Sequence, residues 1–206
     1  MADSPAWSIQ HATELRNHWW WRPGWRAGRR FYTWHYTFGG EYDLHELVAV
    51  YQRALKQFSN LDLIPAKWLH LTVQGLGFVE DFDADEVNFV QQAVDAQMQQ
   101  MGRIDVTFRN LVVRPEAIAL PPEPIEPLRV ARNAIRRGIA ETLGPDKVSE
   151  LGDEFQPHVS VAYVNRASDP APVIAALDSI KPEPVKVALA GPRLIELRRD
   201  NRMYEW

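Results

Sequence analysis

Two tetrapeptides, His70-Leu71-Thr72-Val73 and His158-Val159-Ser160-Val161, lie 88 positions apart, and each sets an imidazole two residues before a hydroxyl. In an extended strand, residues i and i+2 share a face. Each tetrapeptide would therefore present a His beside a Thr or Ser, while Leu69, Leu71 and Val73, or Val159 and Val161, anchor the opposite face. Opening a cyclic phosphodiester requires water to lose a proton while the leaving ribose oxygen gains one. A pair of imidazoles that titrate near neutrality can do both, and hydroxyls aimed at the phosphoryl oxygens can stabilise the charge that develops there. Chance alone gives about 0.2 copies of His-x-[Ser/Thr]-apolar in a chain of this composition, yet three occur. The third is His35-Tyr36-Thr37-Phe38 on the first expected strand, and His35 is a candidate for the cleft wall. By strand parity Trp68 and Gln74 share a face with His70, making them candidate substrate contacts, Trp68 by stacking on a base.

The longer segments are more specific. Leu63-Ile64-Pro65-Ala66-Lys67-Trp68-Leu69-His70-Leu71-Thr72-Val73 and Phe155-Gln156-Pro157-His158-Val159-Ser160-Val161-Ala162 resemble the two hallmark segments of the 2H phosphoesterases. Within that superfamily the chain looks like the 2′-5′ RNA ligase and 2′,3′-cyclic phosphodiesterase branch, over roughly positions 31 to 200. The resemblance implies an α+β, bilobal, pseudo-twofold fold in which two sheets form a central cleft with helices outside. It also implies chemistry without a metal on 2′,3′-cyclic phosphates or 2′-5′ linkages. Ser160 stands where Thr is commoner, which keeps the hydroxyl. His70, Thr72, His158 and Ser160 are the expected catalytic set, with the two His as acid and base. His35, Trp68 and Gln74 are expected substrate contacts.

Elements that would carry these residues follow from periodicity. Phe31 to Phe38 reads as a strand, and Asp43 with Glu46 as a capping box before a helix bearing Leu44, Leu47, Val48, Tyr51, Leu55 and Phe58. The first His strand is expected at 67 to 74, ending near Gly75 and Gly77. A helix from Asp85 to Met101 follows, then a strand holding Ile104, Val106 and Phe108 with Ala117 to Leu120 as its expected partner. Pro121 to Pro124 reads as a lobe junction. A helix at 125 to 143 carries Arg129, Arg132, Arg136 and Arg137 on a face expected to be solvated. The second His strand (157 to 164), a helix (172 to 180) and strands at 184 to 190 and 193 to 199 complete the order, with Asp200-Asn201 turning into a closing strand that ends at Trp206.

Residues 1 to 30 are expected to form a separate Trp-rich arm or lid. Six of the eight Trp fall by position 34, and residues 8 to 19 are expected to form a short helix capped by Ser8, with Ile9, Ala12, Leu15 and Trp19 on one face. The arm reads either as a packing element or as a base-stacking platform with Arg22, Arg26, Arg29 and Arg30 meeting phosphate. The rest, 31 to 206, is expected to be one domain with lobes at 31 to 120 and 121 to 206 that exchange strands.

Bulk properties narrow the classes. A net charge of −4 argues against a broad nucleic-acid-tracking surface, but allows a locally gripped nucleotide or RNA terminus with a cyclic phosphate. With no cysteine there are no disulfides, thiolate nucleophiles or Cys-based metal sites. His-x-Thr lacks the neighbouring ligands of a zinc site, so no metal and no cofactor are expected. The sequence lacks a run of 18 apolar residues and a basic, apolar leader, and the expectation is a cytoplasmic monomer without membrane contact. Three activities fit: hydrolysis of a cyclic phosphate, joining or cleavage of 2′-5′ RNA linkages, or binding of a nucleotide end without turnover.

Overall fold

The computed structural model describes residues 10 to 149 and 155 to 206. Its elements run β1 (Phe31–Thr37), α1 (Tyr42–Leu55), β2 (Leu61–Leu63), β3 (His70–Phe78), α2 (Ala84–Met98), β4 (Ile104–Phe108), β5 (Val112–Val113), β6 (Ala117–Leu120), β7 (Pro122–Glu123), α3 (Glu126–Leu143), β8 (Val159–Val164), α4 (Ala171–Asp178), β9 (Val185–Leu189) and β10 (Arg193–Leu197). The fold is α+β, with two antiparallel sheets and four α-helices among the described residues.

The larger sheet has seven strands in the order β10-β1-β3-β8-β6-β5, with β2 also on β8. It falls into two halves. The β1–β3 pairing extends from Phe31↔Phe78 to Thr37↔His70 with two register shifts, and β6–β8 runs from Ala117↔Tyr163 to Leu120↔Val159 with one. Between the halves, β3 and β8 share the single pair Leu71↔Val159. Strands cross the 120/121 boundary in both directions: β10 lies beside β1, while β2, β5 and β6 lie with β8. Both His strands thus sit side by side where the halves meet. All six residues of β8 are buried, as expected for a strand covered on both faces.

Several local expectations give way to tertiary contacts. β6 pairs with β5 and β8 rather than with β4, whose partners are β7 and β9 in the three-stranded sheet. The burial patterns explain this: β6 is buried throughout and suits an interior position, whereas β4 alternates as a half-covered strand does. Asp43 is not a cap. Helix α1 begins at Tyr42, and Asp43 lies in its first turn, favourably placed in the helix dipole. The capping box belongs to α2, where Asp83 accepts from the Glu86 amide at 2.9 Å and Glu86 accepts from the Asp83 amide at 3.0 Å. The expected closing strand reduces to one bridge, Arg198↔Glu205. The short helix at 8 to 19 does not form over residues 10 to 19, while Ser8 and Ile9 lie outside the described residues. There the backbone amides of Ala12, Leu15, Arg16 and His18 donate to the carbonyls of Val113, Ser168, Pro115 and Val164 at 2.7–3.0 Å. Backbone groups engaged with remote strands are lost to an i→i−4 ladder.

The Arg face of α3 also turns inward in part. Arg132 is buried and donates to Gln74 Oε1 at 3.0 Å, and Arg136 donates to the same oxygen at 3.2 Å. Helix α3 packs on α2 through Gly138, where a Cβ would lie 2.9 Å from the Val94 backbone nitrogen and Cα. Backbone atoms cannot swing aside as a side-chain tip can. Gly138→Ala should therefore destabilise the protein by about 1–3 kcal/mol through overpacking, less the small gain in helix propensity. A Tm lower by several degrees in thermal unfolding is the expected result. An unchanged or raised Tm would mean that the two helices separate freely.

Candidate active site

A cavity of about 620 Å³ opens over the junction of the two half-sheets, lined by His70, Thr72, His158, Ser160 and His35 among others. Extending the Leu71↔Val159 register by one residue each way sets His70 across from Ser160 and Thr72 across from His158. The two residues are then diagonal neighbours, whose backbones in a regular ladder stand roughly 7–8 Å apart, and both side chains line the cavity.

Each of the two rings is fixed in the same way. His70 Nδ1 lies 2.8 Å from the carbonyl of Trp68, and His158 Nδ1 lies 2.8 Å from the carbonyl of Gln156. A carbonyl only accepts, so each Nδ1 carries the proton and each Nε2 is the basic nitrogen. In both cases the carbonyl belongs to residue i−2, and the chain before each strand is shaped to deliver it. Ala66–Trp68 makes a 3₁₀ turn before β3, and Gln156-Pro157 precedes β8. Burial pushes the pKa of His70 down to about 4, against the opposing pull of the Trp68 carbonyl. Burial likewise lowers His158, and it holds His35 well below the ordinary imidazole range, with repulsion from His70 adding to the effect. These imidazoles are neutral at pH 7.

The face on which each candidate lies is decided by a bulge. On β3, Thr72 opposes His35 but Gln74 opposes Trp34, so Val73 has no partner of its own. Directly opposed residues share a face. The extra residue therefore returns His35 to the side of Thr72 and sends Gln74 to the other. Gln74 is fully buried against α3, where it accepts from Arg132 and Arg136 and donates to the Ser149 carbonyl at 2.9 Å. Its expected role as a substrate contact is corrected: the structure places it away from the cavity. Trp68 also stays out of the lining. It sits in the 3₁₀ turn with Lys67 over its ring at 4.7 Å and its ring edge-on to Trp206 at 4.9 Å. Glycines inside a strand commonly mark bulges, and Gly75 and Gly77, read as the strand's end, flank a second register shift at Leu76; no such residue marks the one at Val73.

The arm is a wall of the cavity. His18, Arg22 and Trp25 line it together with Arg114, Glu116, Tyr163 and Tyr204. His18 stacks on Tyr163 at 4.3 Å, and its Nε2 is 3.1 Å from the Tyr204 hydroxyl. Arg199 holds the arm in place. It is buried, it donates to the carbonyls of His18 and Trp20 at 3.1 Å each, and its guanidinium lies 5.7–5.9 Å from the rings of Trp19, Trp21, Trp25 and Tyr204. Of the four arginines expected to meet phosphate, only Arg22 reaches the cavity, paired with Glu116 at 2.7 Å. Arg26 and Arg29 pair with Glu80, and Arg30 with Glu196. No local pattern singled out His18, Tyr163 or Tyr204, because only tertiary packing brings them together. Among the described residues no group of three or more His, Cys, Asp or Glu is placed to hold a metal ion. Nor is any described helix long and apolar enough to cross a membrane.

A family model of the 2′-5′ RNA ligase superfamily matches residues 45–201. The chain belongs to this superfamily of 2H phosphoesterases. Solved structures share the superfamily fold. The MHV ns2 PDE domain is 16% identical with a TM-score of 0.57, covering 81% of this chain and 98% of that one. E. coli LigT in complex with 3′-AMP is also 16% identical with a TM-score of 0.57, covering 86% and 92%. TT0787 of Thermus thermophilus is 19% identical with a TM-score of 0.50, covering 82% and 85%. No curated protein sequence matches the chain. The arm, His35, Tyr204 and Trp206 lie outside the span matched to the superfamily.

The histidine ionisations carry a stability consequence. Unfolded, His70 titrates near 6.5; folded, it titrates at about 4. Between those values the unfolded chain binds more protons, so stability is complete above 6.5 and falls as the pH drops toward 4. For His70 alone the difference amounts to roughly 3 kcal/mol. Urea unfolding between pH 7.5 and 4.5 should show this decline, and His70→Gln should make it shallower, with the other buried histidines accounting for what remains. Equal slopes in the two proteins would contradict the burial of a neutral imidazole.

Proposed function

We propose that this protein is a metal-independent phosphodiesterase that hydrolyses a 2′,3′-cyclic phosphate or a related ribose phosphodiester at a nucleotide or RNA terminus. The observation that carries the reading is the pair of Nδ1-anchored imidazoles lining one cavity together with Thr72 and Ser160. In the reaction one Nε2 takes a proton from water as its oxygen bonds to phosphorus. The bond from phosphorus to the ribose oxygen breaks, and the Nε2–H of the second imidazole protonates that oxygen. Thr72 and Ser160 donate to the phosphoryl oxygens as negative charge grows there. Which imidazole is acid follows from the direction in which the ribose enters. Superfamily membership and the structural likeness to LigT, whose solved complexes include 3′-AMP, are consistent with a nucleotide end in this cavity.

The superfamily's name favours one second reading, the joining of 2′-5′ RNA linkages, which uses the same acid and base with a ribose hydroxyl in place of water. A joined strand from two RNA ends would identify it. A protein that only binds nucleotide ends would give stoichiometric binding without multiple turnover.

Replacing His70 or His158 by Ala should lower kcat on a 2′,3′-cyclic nucleotide by roughly 10²–10⁴-fold, with turnover by the intact protein unaffected by EDTA. Productive free enzyme has one imidazole protonated and the other not, and both pKa values lie below 6.5. The kcat/KM profile should therefore be bell-shaped with its maximum on the acid side of pH 6.5. Near-wild-type rates for both Ala variants, or a maximum above pH 7, would remove the mechanism.

A further inference from the structure

His35 is almost fully buried, yet one of its two ring nitrogens lacks a hydrogen-bond partner. Nε2 lies 3.0 Å from Thr72 Oγ1, while Nδ1 is buried with no partner. The ring stacks on His70, with centroids 4.4 Å apart and planes within 3° of parallel, and Trp206 stands at right angles beside both rings, 5.9 Å from His35 and 5.5 Å from His70. Burial holds the ring neutral, so it carries a single N–H, which must sit on one nitrogen or the other.

The two tautomers have opposite consequences. With the proton on Nδ1, a donor is stranded in the core, and orphaned buried N–H groups are rare. Nε2 would then accept from Thr72 and consume the only proton of that hydroxyl. With the proton on Nε2, the orphan is a bare acceptor. Thr72 Oγ1 then accepts from His35, and its own proton is left for a group in the cavity.

We propose that His35 is a positioning residue whose Nε2–H donates to Thr72 Oγ1 and so directs the threonine proton at the substrate's phosphoryl oxygen. The proposal rests on the reading of the cavity as a phosphodiesterase site. It also redefines His35, which acts through Thr72 rather than by touching substrate. Stacking adds a second consequence, since a flat neutral ring against His70 limits the rotation of that imidazole about its Nδ1 anchor. The bulge at Val73 makes the pairing possible, because it sets His35 and Thr72 opposite one another.

Two measurements test this. Long-range ¹H–¹⁵N correlation of ¹⁵N-histidine-labelled protein, with His35 assigned by its loss in His35→Gln, should show Nε2 protonated and Nδ1 bare from pH 7.5 to 5. An Nδ1–H tautomer or an imidazolium would overturn the proposal. In kinetics on a 2′,3′-cyclic nucleotide, His35→Phe keeps a ring but removes the donor. It should lower kcat about tenfold, the equivalent of one hydrogen bond, with little change in KM. His35→Gln, whose amide can donate from a similar position, should recover most of the rate. In a Thr72→Val background, His35→Phe should cost nothing further. Equal losses for Phe and Gln, or losses that multiply in the Thr72→Val background, would refute action through Thr72. Should no cyclic phosphate be turned over by the intact protein, the proposed function fails, while the tautomer still decides the hydrogen bond. If His35→Phe does not fold, the tautomer and the Gln variant carry the test.

Discussion

Two half-sheets touch through one ladder position, Leu71 opposite Val159, and the site is organised around that contact. Because the strands are antiparallel, the residues flanking that pair are brought together crosswise, each imidazole beside the other strand's hydroxyl. Both aliphatic partners are fully buried, so the contact is held by the core rather than by the polar groups it positions.

Each half then fixes its own imidazole by the same device, a carbonyl two residues upstream. The bond selects a tautomer and a ring orientation together, and both matter more to proton transfer than proximity alone. The cost lies in burial, which pushes the imidazoles below their ordinary range and keeps them neutral at pH 7. Under the proposed function, a phosphate entering the cavity would oppose that shift on whichever ring it meets, so that an anion would complete the electrostatics of the site.

The arm and the C-terminal tail close the cavity from outside the span shared with the superfamily. Arg199 couples them, its guanidinium surrounded by aromatic rings from both segments and bonded to arm carbonyls. The rows of Trp and Arg near the start of the chain are thereby divided by function. Most of the arginines meet carboxylates, and Arg22, with His18 and Trp25, faces the cavity. The superfamily core supplies the paired imidazoles, and the chain's ends shape the space in front of them.

In the sequence alone, the two His-x-hydroxyl patterns with their flanks carried the resemblance to the superfamily, and the α+β class came with that resemblance. The order of the helices and main strands was legible in i, i+2 alternation and helical spacing, which are local properties. Helix α1 carries its buried face on the positions its periodicity names, apart from Phe58, which lies beyond the helix end. Tertiary structure decided which side chains share the cavity. The bulge at Val73 moved Gln74 to the core and brought His35 to Thr72, a one-residue change in register that alternation cannot anticipate. Long-range backbone bonds replaced the expected arm helix with an extended wall, and buried Arg132 reached Gln74 from a helix face that reads as solvent-facing. In each case the deciding partner lies dozens of residues away, so no local pattern contains it.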